Sequence, residues 1–76
     1  MAIVRHLKAQ SLMVESRHTE VEGTYSIVHG DRGKVFLQID TYGSKERKLT
    51  GKKSQSIRFA PEAIEDLKKI LAREFA

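Results

Sequence analysis

The 76-residue sequence contains no cysteine and no apolar run as long as a signal peptide or a membrane span. The lack of cysteine excludes disulfides and thiolate metal sites, two common ways in which a small domain is stabilised. A chain of this length buries only about 60% of the surface that its unfolded form exposes, so a monomer is marginally stable. We therefore expect a homodimer, and the absence of a leader or a span favours the cytoplasm.

Motifs for catalysis or metal binding are also lacking. His6, His18 and His29 are widely spaced, without the close pairing of a compact ligand set. The segment 51–54 reads Gly-Lys-Lys-Ser but lacks the upstream glycine and the following helix of a phosphate-binding loop. We expect a protein that is not an enzyme and that uses no metal, cofactor or small-molecule substrate.

Positive charge is in excess, with 14 Lys and Arg against 10 Asp and Glu. Residues 1–60 hold 11 basic and 6 acidic side chains, whereas residues 61–76 hold 3 basic and 4 acidic ones. This asymmetry predicts one electropositive face and an anionic partner, although the same charges also suit a merely well-solvated surface.

A C-terminal helix is predicted over residues 61–75. Pro61 suits a first helical position, where its missing N–H costs nothing. Acidic residues come early and basic ones late, as the helix dipole favours. An apolar stripe at helical spacing predicts a surface that packs on the sheet or on a dimer mate. Besides Ala63, the residues of this stripe are Ile64, Leu67, Ile70, Leu71 and Phe75.

Strands are predicted before the helix, at residues 24–29, 34–42 and 54–59. The turn residues 30–33, Gly-Asp-Arg-Gly, join the first two as a hairpin. Alternation places Val35, Leu37 and Ile39 toward the core, with Phe36, Gln38, Asp40 and Tyr42 on the other face. In the last strand, Ile57 and Phe59 are expected inside and Ser56 and Arg58 outside. Residues 3–16 are predicted as one long strand or two shorter ones.

The expected fold is a single α+β domain. Residues 1–60 form strands and loops in a four-stranded twisted antiparallel sheet, and residues 61–75 form the helix, in the order ββββα. Two such chains are expected to associate through their helices and sheet edges.

Single-stranded nucleic acid is the first candidate ligand. A protein that binds it needs cations to neutralise phosphates and flat side chains on which bases stack. The polar segment 43–53 is a long loop rich in lysine, of the kind that often carries function. The aromatic residues share a polar strand face, unless another strand or a dimer mate covers them. The candidate contacts are Arg32, Lys34, Phe36, Tyr42, Lys45, Arg47, Lys48, Lys52, Lys53 and Arg58.

Residues 25–75 resemble the single-stranded-DNA-binding domain of the transcriptional coactivator positive cofactor four, which has bacterial relatives. The resemblance is carried by residues 33–42, by the run Gly-Lys-Lys at 51–53 with Ile-Arg-Phe at 57–59, and by residues 62–70. It implies four antiparallel strands, a C-terminal helix and a dimer whose curved sheets form a channel for single strands.

The same resemblance implies that Lys34, Tyr42, Lys52 and Lys53 contact or border DNA. The chain departs from the family pattern at three places. Asp40 replaces a residue that is usually basic, Gly43 replaces one that is usually aromatic, and the hairpin tip lacks the aromatic residue expected there. These departures weaken the expectation of DNA binding but not that of the fold.

The chain is also similar to short bacterial proteins labelled methionyl-tRNA formyltransferase-like. A chain of 76 residues has no room for a folate-binding fold, and no catalytic Asn/His/Asp set is recognisable. The expected function is thus non-catalytic binding of single-stranded DNA or RNA with little sequence preference, in transcription or DNA maintenance. The alternative is a protein-interaction or regulatory module that docks a partner on its sheet face or helix.

Overall fold

The computed structural model describes residues 1–12, 20–43 and 53–76, with only the backbone of Lys53. Four strands precede one helix: β1 (Ala2–Val4), β2 (Gly23–His29), β3 (Val35–Tyr42), β4 (Lys53–Phe59) and α1 (Pro61–Glu74). This confirms the α+β class and the order ββββα. No helix in the described ranges is long and apolar enough to cross a bilayer.

The four strands form one mixed sheet in the order β1-β4-β3-β2. β2 pairs with β3, and β3 with β4, in antiparallel fashion, but β1 runs parallel to β4. The prediction of a purely antiparallel sheet is therefore wrong. β1 lies along the edge of β4 that is not paired with β3. Just after the end of β4, the Ala60 N–H donates to the Val4 carbonyl at 2.9 Å.

The N-terminal strand is much shorter than the predicted 3–16, because the residues after Val4 contact the helix. Arg5 approaches Glu62 at 3.7 Å, and His6 approaches Asp66 at 3.5 Å. The Leu7 amide donates to the Asp66 carboxylate at 3.1 Å. These contacts draw the chain away from the sheet, and residues 5–12 have no regular structure. The rest of the predicted strand, 13–16, lies outside the described residues.

The predicted hairpin is confirmed, with a short 3-10 turn at Asp31–Gly33 between β2 and β3. Arg32 and Gly33 have positive φ angles of 56° and 73°. This left-handed pair closes the turn, since the Gly30 amide then donates to the Lys34 carbonyl at 2.8 Å.

The helix begins at Pro61, as predicted, and ends at Glu74, one residue before the predicted end. Its first turn meets the start of β3, where Val35, Pro61 and Ile64 help to line a shallow cavity of about 490 Å³. Of the apolar stripe, Ala63 is buried, and three residues are half-buried: Ile64, Leu67 and Ile70. Leu71 and Phe75 are exposed, so the end of the stripe is not part of this chain's core.

Burial within the sheet differs from the prediction. Among the described residues, the fully buried apolar side chains are those of Ala60 and Ala63, while Gln38 and Asp40 are the buried polar ones. The expected core residues Ile39 and Ile57 are 37% and 41% exposed. The residues of β3 alternate between two faces as predicted, but the predicted inner face is wrong at Val35 and Ile39, which are exposed, whereas Gln38 and Asp40 of the predicted outer face are buried. Gln38 and Asp40 tolerate this burial because they hydrogen-bond to each other and to Arg58 and Ser56 of β4.

Candidate nucleic-acid interface

One face of the sheet, termed here the Gln38 face, carries three of the described candidate contacts: Phe36, Tyr42 and Arg58. Strand alternation places Phe36, Gln38, Asp40 and Tyr42 on the same side of β3. The β3–β4 register sets Arg58 opposite Gln38 and Ser56 opposite Asp40. The opposite side, the Ile39 face, carries most of the apolar residues of β2, β3 and β4: Tyr25, Ile27, Val35, Leu37, Ile39, Ile57 and Phe59.

A chain of hydrogen bonds crosses the middle of the Gln38 face. Arg58 donates to the Gln38 Oε1 from Nε at 3.1 Å and from Nη2 at 2.6 Å. The Gln38 amide donates to both Asp40 oxygens, at 3.0 and 3.2 Å, and the Ser56 hydroxyl donates to the Asp40 Oδ1. Ser56 and Arg58, expected on the outer face, are half-buried and take part in these bonds.

The two aromatic residues stand at opposite ends of the same strand face. Phe36 is half-buried against the turn, where a Cβ added to Gly30 would lie 2.9 Å from its Cε1 atom. Tyr42 is half-buried, and its hydroxyl lies 3.1 Å from the Thr24 Oγ1. Each ring is therefore held by β2 or its turn and retains a partly accessible surface.

The candidate cations whose side chains the structure describes are Arg58, opposite Gln38, and two residues of the hairpin. Arg32 and Lys34 are exposed at the hairpin end. Lys53 begins β4 opposite Tyr42, at the far end. An eight-residue strand is about 23 Å long, so roughly this distance separates the hairpin end of β3 from the backbone of Lys53. The candidate contacts Lys45, Arg47, Lys48 and Lys52 lie outside the described residues.

Two acidic residues that the sequence reasoning missed lie at the Tyr42 end. The Tyr42 amide donates to the Glu22 carbonyl at 3.1 Å, and Glu20, Glu22 and Gly43 help to line a shallow cavity of about 190 Å³. Both glutamates are exposed. Extending the hairpin register by one position beyond β2 places Glu22 opposite Tyr42, so the signal was present in the sequence. Their charge opposes phosphate binding at this end.

The histidines take no part in the Gln38 face. His6 lies beside Asp66 of the helix, His29 is exposed at the end of β2, and His18 is outside the described residues. No group of three or more metal-binding side chains occurs within residues 1–12, 20–43 and 53–76. The hydrogen bond from the Leu7 amide lowers the pKa of Asp66; desolvation opposes this shift, and the neighbouring His6 and Lys69 lower the pKa further.

Comparison with protein-family models, with curated proteins and with solved structures gave no match for this chain.

Proposed function

We propose that this protein binds single-stranded DNA or RNA along the Gln38 face, without catalysis and with little sequence preference. The observation that carries the proposal is the arrangement of β3, which has a partly accessible aromatic ring near each end and the exposed cations Arg32 and Lys34 beyond Phe36. Lys53 begins the strand opposite Tyr42. The resemblance of residues 25–75 to a single-stranded-DNA-binding domain supports the same proposal.

Cations contribute most of the affinity in this proposal. Stacking is worth about 1–3 kcal/mol per base, and two half-buried rings give room for only a few stacked bases. Arg58 already donates twice to Gln38, so its remaining N–H groups are those available to a phosphate or a base. Phosphate contacts and stacking do not distinguish bases, which is why little sequence preference is expected.

Direct titration tests the proposal. Fluorescence anisotropy of labelled single-stranded and double-stranded oligonucleotides is measured against protein concentration in low salt. We expect saturable binding of the single strand at low micromolar protein and weaker binding of the duplex, because paired bases cannot stack on Phe36 or Tyr42. Absence of single-strand binding under these conditions contradicts the proposal.

A pair of matched charge reversals locates the site. Arg32→Glu with Lys34→Glu changes the hairpin end, and Lys68→Glu with Lys69→Glu makes the same change of net charge on the exposed side of the helix. We expect the hairpin variant to lose at least about tenfold in affinity and the helix variant much less, since direct phosphate contacts outweigh general attraction. Equal losses mean that the hairpin is not part of the site.

The second candidate function, docking of a protein partner, is favoured by the Ile39 face. Tyr25, Ile27 and Ile57 are exposed there at 73%, 54% and 41%. Exposed apolar patches of this kind commonly mark interaction surfaces. Failure of the titration, together with a partner that no longer binds after Ile57→Lys, would favour this function. In either case we propose a cytoplasmic protein, acting in transcription or DNA maintenance if the ligand is DNA.

A further inference from the structure

The outer edge of β2 has no neighbouring strand among those that the structure describes, since β2 ends the order β1-β4-β3-β2. Two hydrogen bonds establish which of its backbone groups face outward. Gly30 donates to the Lys34 carbonyl at one end, and Tyr42 donates to the Glu22 carbonyl at the other. Even-numbered residues of β2 therefore bond to β3, and the N–H and C=O groups of odd-numbered residues point away from the sheet.

The residues with outward backbone groups are also the exposed apolar residues of β2. Tyr25 and Ile27 each direct an N–H and a C=O to the open edge, and their side chains are mostly exposed on the Ile39 face. The strand lacks three features that commonly protect an edge against pairing: Gly23–His29 contains no Lys or Arg, contains no Pro, and has no register shift against β3. It is thus suited to accept another strand.

We propose that β2 of one chain pairs antiparallel with β2 of a second copy, with Ser26 facing Ser26 across a two-fold axis. This register pairs all seven residues, because Tyr25 then faces Ile27 of the other copy and Gly23 faces His29. Hydrogen bonds then form only between residues whose backbone groups point to the open edge in both copies, as an antiparallel ladder requires. Each Tyr25–Ile27 contact is an aromatic–β-branched pair on the Ile39 face, a favourable cross-strand combination. The proposal does not depend on nucleic-acid binding.

The charges that flank β2 are complementary in this arrangement. The exposed Glu20 and Glu22 precede β2, and the exposed Arg32 and Lys34 lie in and just after the turn that follows β2, with Asp31 as the one acid there. Antiparallel pairing brings the acidic end of each copy beside the basic end of the other. A parallel arrangement would instead place like charges together. A second copy is therefore favoured over an arbitrary extended peptide.

Disulfide trapping tests the register, since the native chain has no cysteine. Ser26→Cys places two thiols at a position where the Cα atoms of a non-hydrogen-bonded pair are about 4.5 Å apart, within disulfide range. Thr24→Cys is the matched control, because Thr24 lies on the same strand and face as Ser26. In the proposed register the two Thr24 positions are offset by four residues, so they are about 13 Å apart. We expect covalent dimers of Ser26→Cys to form at least tenfold faster under mild oxidation, roughly reflecting that geometry. Equal rates, or no dimer from either variant, overturn the proposal.

Sedimentation of a backbone variant gives an independent test. Ile27→Pro removes an N–H that points to the open edge and leaves the β2–β3 ladder intact, so the fold should survive, as circular dichroism can verify. We expect the wild-type chain to sediment at twice 8.6 kDa, Ile27→Val to behave in the same way, and Ile27→Pro to shift to the monomer. A wild-type monomer at tens of micromolar, or an unchanged Ile27→Pro dimer, rejects pairing through β2. Normal binding of single strands by such a monomer would leave the proposed function in place.

Discussion

Asp40 is an ionisable residue on a small sheet, yet only 1% of its surface is exposed. Gln38 and Ser56 both donate to its carboxylate, so its burial is compensated by hydrogen bonds. Gln38 in turn accepts from Arg58, which connects the carboxylate to a guanidinium through one amide. A buried polar network of this kind links β3 to β4 by side chains as well as by backbone.

Replacement of Asp40 should therefore cost more stability than loss of a single hydrogen bond. Asp40→Ala leaves the Gln38 amide and the Ser56 hydroxyl without this acceptor, and we expect a loss of about 1–3 kcal/mol in the free energy of unfolding. Ser56→Ala removes one donor and should cost about 1 kcal/mol or less. Urea unfolding followed by circular dichroism at one fixed protein concentration measures both. A smaller loss for Asp40→Ala than for Ser56→Ala would contradict this account of the network.

At the scale of elements, the N-terminal segment is held on the helix by Asp66. Its carboxylate accepts from the Leu7 amide and lies beside His6, and these contacts lower its pKa below the ordinary 3.8. A group whose pKa is lower in the folded state stabilises that state above its unfolded pKa. The contribution is lost as pH falls through the folded value.

We accordingly expect part of the stability to disappear as pH falls below about 4, through protonation of Asp66. The side chain is 31% exposed, so the effect should be modest and reduced by salt. Asp66→Asn should be less stable than the wild type at neutral pH and should show a shallower loss between pH 5 and the acid limit. Thermal unfolding over this pH range provides the measurement. Identical pH profiles for the two proteins would exclude this role of Asp66.

The elements that the sequence predicts well are those determined by local chemistry. Gly30, Gly33 and Pro61 identify the turn and the helix start, because each suits a backbone position that few other residues tolerate. The parallel pairing of β1 was not predictable in this way, since it depends on which edge of β4 remains open after β3 has paired. The early end of β1 depends on Glu62 and Asp66, more than 50 residues away.

Only part of the candidate site could be predicted, because strand alternation is a local property whereas the pairing of distant strands is not. Alternation is sufficient to put Phe36 and Tyr42 on one face. It does not show that Gln38 and Asp40 on that face are buried, because their partners Ser56 and Arg58 come from a strand whose register the sequence does not reveal. Glu22, which lies opposite Tyr42, could have been predicted by extending the hairpin register beyond β2.

For the whole molecule, salt should have a strong effect on nucleic-acid affinity. If about four cations contact phosphates, the slope of log K against log salt is about −2.8 for a single strand. Raising salt from 50 to 200 mM should then weaken binding roughly 50-fold. Anisotropy titrations at four salt concentrations give the slope. A slope near zero would mean that the candidate cations do not contact phosphates.

The parallel pair of β1 and β4 also determines the order in which the sheet can assemble. Ala2 pairs with Ile57, so this contact closes a loop of 55 residues, whereas the β2–β3 turn closes a loop of only a few. By loop-closure entropy alone the long closure costs about 2 kcal/mol more. Three residues of ladder must offset that cost, so β1 should join last during folding and detach first. Hydrogen exchange would then proceed through a state in which β2, β3, β4 and α1 remain assembled and the N-terminal segment is released.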